Sequence, residues 1–148
     1  MPVTVKRGAK GRKLLPIASL EKKLDRVFSE YIRLRDADEG GTTQCVTCGA
    51  YKFWKDIDAG HFIKRQHRST RWDERNVHPQ CTRCNHFMSG RQDDMSLYIL
   101  RLYGKETLLE LMQLKYQTRK FVRTELEDLI KHFQEKLEAL NERRNRYC

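Results

Sequence analysis

Four cysteines set in two pairs, Cys45-Val-Thr-Cys48 and Cys81-Thr-Arg-Cys84, constrain this chain more than any other feature. Each CxxC turn is tight enough to aim two thiolates at one ion about 2.3 Å away, and two such turns complete a tetrahedral set. The expectation is therefore Zn2+ held by Cys45, Cys48, Cys81 and Cys84. Four sulfur ligands leave no coordination position for water, so this zinc is expected to staple the fold and not to hydrolyse anything itself. Unligated core cysteines or redox pairs are the alternative, and they fit the paired spacing less well. The fifth cysteine, Cys148, reads as a free thiol.

Composition explains why a staple is useful. Charged residues make up 34% of the chain and the mean hydropathy is −0.80. Apolar surface is scarce, and a thin core gains from metal binding, whose free energy is part of folding. A length of 148 residues suits one globular domain with flanking helices. The net charge of +10 biases the molecule toward polyanions through counterion release, which makes nucleic acid the first partner to consider. No run of about 18 apolar residues occurs, and the basic stretch Met1 to Lys13 lacks the apolar core of a secretory signal. A soluble, cytoplasmic protein with reduced thiols and no membrane contact is expected.

Residues 1–18 read as a basic arm, with Lys6, Arg7, Lys10, Arg12 and Lys13 and too little apolar surface to fold without DNA. From Ser19, a possible N-cap, Leu20, Leu24, Val27, Phe28, Tyr31 and Leu34 recur at three- and four-residue steps and predict a helix over 19–36. Gly40-Gly41 stops it. Residues 42–64, rich in Thr, Val, Tyr, Phe, Trp and Ile and broken by Gly49 and Gly60, predict turns and a short β-hairpin. Residues 65–80 read as an irregular loop, a short helix is expected to begin near Cys81 or Thr82, and another runs over 93–103 to Gly104. Leu126, Leu129, Ile130, Phe133, Leu137 and Leu140 share one face of a long helix expected over 118–143. That stripe needs a partner: either the 19–36 helix or, in a homodimer, a second copy of itself.

Between and just after the cysteine pairs lie the residues with chemistry to offer. Asp58-Ala-Gly60-His61-Phe62 precedes a loop that ends Arg75-Asn76-Val-His78-Pro-Gln80, and Asn85-His86 directly follows Cys84. This arrangement resembles the HNH nucleases, in which a histidine ends a strand, an asparagine lies in the loop before the second knuckle, and a metal-contacting residue follows the last cysteine. The words AGHFIKRQHRSTRWDERNVHPQCTRCN over residues 59–85, followed by Ser89-Gly90, are similar to the phage NinG (Rap) recombination proteins, and the similarity extends over about residues 25–115.

The resemblance implies an α+β, mainly helical fold with a zinc-stapled ββα-metal (HNH) core over 19–115, flanked by the N-terminal helix and a C-terminal helix within 116–148. It implies a structure-selective DNA endonuclease that cleaves branched recombination intermediates, D-loops and Holliday junctions, by metal-dependent hydrolysis. His61 would be the general base, Asn76 its orienter, and Asn85 a ligand for a catalytic Mg2+ or Mn2+. Many HNH enzymes place a metal ligand where this chain has Gly60. Asp58 is the first candidate for the missing carboxylate, with Asp73 and Glu74 also open. Gly60 itself is read as letting DNA or backbone approach closely. Lys64, Arg65, Arg68, Arg71, Arg75, Arg83 and Arg91, with Phe62 and Trp72 among them, are the candidate DNA contacts. A junction has two symmetric arms, so a homodimer is expected, and other recombination proteins are conceivable partners. His78 is read mainly as structural, while His67 and His86 are left uncommitted. The competing readings are a zinc-ribbon DNA-binding or adaptor module without catalysis, and a structural protein that assembles through its last helix.

Overall fold

The computed structural model describes residues 13–146. The basic arm, up to residue 12, and Cys148 therefore lie outside the described residues. Helix α1 (Ile17–Arg35) begins three residues earlier than a Ser19 cap would place it, behind Pro16, and has no side-chain cap. It buries Leu20, Leu24, Val27, Phe28, Tyr31 and Ile32 along one stripe. The last helix, α4 (Arg123–Arg146), answers with Leu126, Ile130 and Phe133. Phe133 meets Phe28 edge-on at 4.8 Å between ring centres and Tyr31 at 5.5 Å. Burying a side chain of this size stabilises the fold by about 1.5–3 kcal/mol. Of the expected α4 stripe, Leu126, Ile130 and Phe133 are buried against α1, while Leu129, Leu137 and Leu140 are half-buried.

Between these helices lie two small antiparallel sheets. In the first, β1 (Thr42–Gln44) pairs with β2 (Tyr51–Phe53) around the first cysteine knuckle. In the second, β3 (Asp58–His61) pairs with β4 (Val77–Gln80), with His61 opposite Val77 and Asp58 opposite Gln80. The short hairpin expected within 42–64 is β1–β2, while β3, at the end of that stretch, takes its partner from beyond a 15-residue connection, residues 62–76, so the reading of 65–80 as irregular is corrected by β4. Strand β4 was hard to see because all four of its residues, Val77, His78, Pro79 and Gln80, are buried, so it lacks apolar and polar alternation. The expected helix after the second knuckle is a π-helical turn over Arg83–Phe87.

Helix α2 (Gln92–Tyr103) matches expectation, but Gly104, at φ +90°, does more than end it. A further helix, α3 (Lys105–Leu114), starts at once and folds back on α2. Leu111 from α3 joins Met95 and Ile99 from α2 over Phe62 and Ile63, and this forms a second small core. A third gathers Cys45, Ile57, Cys81 and Cys84. Helix α4 starts at Arg123 and not at 118, where Glu125 accepts a hydrogen bond from the Val122 amide at 2.9 Å.

Candidate metal centre and cleft

The two knuckles converge. One sulfur from each of Cys45, Cys48, Cys81 and Cys84 lies within 4.8 Å of the others, and Cys48 Sγ stands 3.7 Å from Cys81 Sγ. Ligands about 2.3 Å from a tetrahedral ion sit about 3.8 Å apart, so the cluster is sized for a metal such as zinc. The electrostatics ask for a cation as well. The Ala50 amide favours the Cys48 thiolate, but burial and the three neighbouring sulfurs push this thiol up to about 12. Four thiolates this close need a positive ion to coexist. Arg91, at φ +44° in the Ser89-Gly90-Arg91 turn, directs a guanidinium nitrogen to Cys84 Sγ at 3.8 Å.

Next to this cluster opens a cleft of about 520 Å³. Helix α1 supplies Asp25, Ser29 and Arg33, strand β3 supplies Asp58 and His61, and the π-helical turn supplies Asn85 and His86. Asn85 Nδ2 donates to Asp58 Oδ2 at 3.2 Å, and His86 Nε2 lies 3.4 Å from the same oxygen. His61, Asp58 and Asn85 are therefore brought to one cleft. His86, which the sequence reading left uncommitted, joins them. Its position next to Asn85 was the only available signal. Asp73 and Glu74 are committed elsewhere, Asp73 to Arg75 at 2.7 Å and Glu74 to Lys136 at 2.7 Å, and neither lines the cleft.

His61 is held by its Nε2, which lies 2.9 Å from the Arg71 carbonyl oxygen. A carbonyl only accepts, so Nε2 carries the proton and Nδ1 keeps its lone pair. Burial lowers the imidazole pKa below its ordinary value, and the Arg65 charge pushes the same way; the Arg71 carbonyl, the Asp25 charge and the Ala59 backbone oppose them. The ring is thus neutral at neutral pH, with one basic nitrogen. Asn76 makes no hydrogen bond to the ring. It is fully buried, accepts from the Ile63 amide at 2.7 Å, and donates to the carbonyls of Ile63 at 3.0 Å and Thr70 at 3.1 Å. It closes the loop that carries the Arg71 carbonyl.

Gly60 has a reason other than the one expected. A Cβ there would stand 2.4 Å from Gln80 Oε1 and 2.8 Å from Gln80 Cβ, so the Gln80 side chain fills the space assigned to an approaching DNA strand or backbone. Gln80 is itself buried and tied to Thr47 Oγ1 at 3.1 Å and the Gly90 carbonyl at 2.7 Å.

The basic residues divide into two groups. Arg68 pairs with Glu21, Arg71 with Asp25, Arg75 with both Asp73 and Glu110, and Arg91 with Asp94. Lys64 and Arg65 line the cleft and are exposed, although Arg65 reaches Asp25 at 3.4 Å. Arg83 is exposed with no ion-pair partner among the described residues. Arg33 and Lys55, which the sequence reading did not select, also line the cleft, and both lie against the Trp54 ring.

A family model described as "NinG: Bacteriophage Lambda NinG protein" matches residues 5–143. The chain belongs to the NinG family. Among curated NinG proteins it is 28% identical over 127 residues to Protein ninG of Escherichia phage 933W, covering 84% of this chain and 59% of the relative. It is 27% identical over the same length to Protein ninG of Salmonella phage P22 and of Escherichia phage lambda. The chain spans about three fifths of the length of these NinG relatives. No solved structure matches it. No helix among the described residues is long and apolar enough to cross a membrane.

Proposed function

We propose that this NinG-family chain is a metal-dependent DNA endonuclease of the HNH type that cleaves branched recombination intermediates, D-loops and Holliday junctions, in the host cytoplasm. One observation carries the reading: a histidine whose Nε2 faces a backbone carbonyl shares a cation-rimmed cleft with a hydrogen-bonded carboxylate and carboxamide. The four-cysteine site, filled by zinc, would be structural, since four sulfurs leave no place for water.

His61 Nδ1 accepts a proton from water as the water oxygen bonds to phosphorus, and the P–O ester bond breaks with its electron pair leaving on the sugar oxygen. Asn76 acts at a distance by holding the loop. Asp58 and Asn85, with His86 beside them, offer the oxygen and nitrogen donors that would hold a Mg2+ or Mn2+. Such an ion, when bound, supplies positive charge next to the phosphate oxygens. Lys55, Lys64 and Arg65 along the cleft would receive backbone phosphates, and no base-reading motif accompanies them, which favours recognition of branch shape. Two copies would suit the two symmetric arms of a junction, with contacts other than the buried residues of the α4 stripe.

Wild type and His61→Ala, both with zinc measured, are compared on radiolabelled junction, D-loop and linear duplex in Mg2+ or Mn2+. Loss of cleavage in the variant with full zinc content is expected, with branched substrates preferred by wild type. Equal nicking by both proteins removes His61 from the reaction. DNA binding without scission by wild type supports instead a zinc-ribbon adaptor.

A further inference from the structure

The Arg71 carbonyl decides which nitrogen of His61 is basic, so whatever fixes that carbonyl tunes the site. Asn76 ties Ile63 to the Thr70 carbonyl, next to Arg71, and the Arg71 and Trp72 side chains are anchored by a second element. Asp25, on α1, accepts from Arg71 Nε at 2.9 Å and from Arg71 Nη2 through its other oxygen. The Trp72 indole donates to Asp25 Oδ1 at 3.0 Å, and Arg65 approaches Oδ2 at 3.4 Å. One turn earlier on the same helix Glu21 holds Arg68. A bidentate arginine pair is planar and directional, and with Trp72 attached to the same carboxylate the peptide between residues 71 and 72 has little freedom to rotate. Both partners of the central pair are mostly covered, at 14% and 16% side-chain exposure, so water competes weakly for it.

We propose that Asp25 is a positioning residue for His61: its carboxylate clamps Arg71 and Trp72 so that the Arg71 carbonyl faces Nε2 and Nδ1 is left as the proton acceptor. The inference rests on the endonuclease reading for its kinetic consequence but not for its structural one. It also gives Arg71 a role other than phosphate contact. Helix α1, which lies outside the strands and the turn that carry the reacting groups, becomes part of the catalytic apparatus through a single carboxylate.

The test uses the full zinc-loaded chain and two readouts. Ring-15N NMR of His61 should show the Nε2–H tautomer in wild type, and Asp25→Asn should convert it to an exchanging mixture. In cleavage of a junction the same variant should lose at least about 10-fold in kcat with KM within a factor of about two, because orientation and not DNA binding is affected. Asp25→Glu, which keeps the carboxylate, should recover part of the loss. An unchanged His61 tautomer in Asp25→Asn overturns the proposal, as does a change confined to KM. If Asp25→Asn does not fold, Arg71→Met removes the other half of the clamp and is judged by the same two outcomes. Should wild type cleave nothing, the endonuclease reading fails and the tautomer alone decides for or against the clamp.

Discussion

At the scale of single residues, the second sheet is held by choices that leave little room for substitution. Gly60 lies opposite His78 and beneath the Gln80 side chain. Gly60→Ala should destabilise by about 1–3 kcal/mol through overpacking, seen as a lower urea midpoint. The double variant with Gln80→Ala should lose less than the two single changes added together, since one relieves the clash made by the other. His78 illustrates a different constraint. It is fully buried between Tyr98 and Tyr103, its Nε2 lies 2.9 Å from the Arg75 carbonyl, and burial drives its pKa down to about 4 from an ordinary 6.5. The unfolded chain protonates this ring near pH 6.5 while the folded chain refuses the proton until about pH 4. The contribution to stability is therefore complete above about pH 6.5 and is lost as pH falls toward 4, by about 3 kcal/mol in total. Urea unfolding at pH 7 and pH 5 should show a smaller drop for His78→Gln than for wild type. The cysteine thiolates protonate in both proteins and cancel in that comparison.

At the scale of elements, the site is assembled by short pieces that cannot stand alone. Sheets of three- and four-residue strands and a five-residue π-helical turn have few hydrogen bonds of their own, and the cysteine cluster links them. Cys48→Ser should lower zinc content and unfold β1, β2 and the turn that carries Asn85, with loss of far-ultraviolet structure on chelation of wild type. Retention of native secondary structure in strong chelator would contradict the staple. Legibility followed local pattern. Helices α1, α2 and α4 show a 3.6-residue apolar period and were placed within a few residues. Helix α3 was missed because Gly104 reads as a stop, although Leu108 and Leu111 recur at helical spacing just beyond it among strong helix formers. Strand β4 was missed because a strand buried on both faces carries no alternation, and Pro79 argues against a strand until its register with Ala59 is seen.

At the scale of the molecule, the charge of +10 was apparent from the start, but its usable part was not. Five of the seven basic residues first assigned to DNA, Arg65, Arg68, Arg71, Arg75 and Arg91, are engaged by carboxylates, Arg65 the most loosely. If the cleft receives phosphates, Lys64→Gln should reduce the slope of log affinity against log salt by about 1, whereas Arg75→Gln, which loses contacts to Asp73 and Glu110, should leave it unchanged. Fluorescence anisotropy with labelled junction DNA over a range of salt concentrations checks both. Equal slopes for Lys64→Gln and wild type would place the DNA on another face.

By itself the sequence determined the metal cluster, three of the four helices and the identities of His61, Asn76 and Asn85 as residues to watch, because CxxC spacing and helical periodicity are local and survive reading in one dimension. Tertiary structure alone decided which groups meet. Strand alternation would put Asp58 and His61 on opposite faces of β3, yet both line one cleft, closed by α1 and the turn after Cys84. The same holds for the arginines and for Asp25. Whether a charge faces solvent or a carboxylate 46 residues away depends on how α1 packs across the loop, and no spacing along the chain encodes that distance.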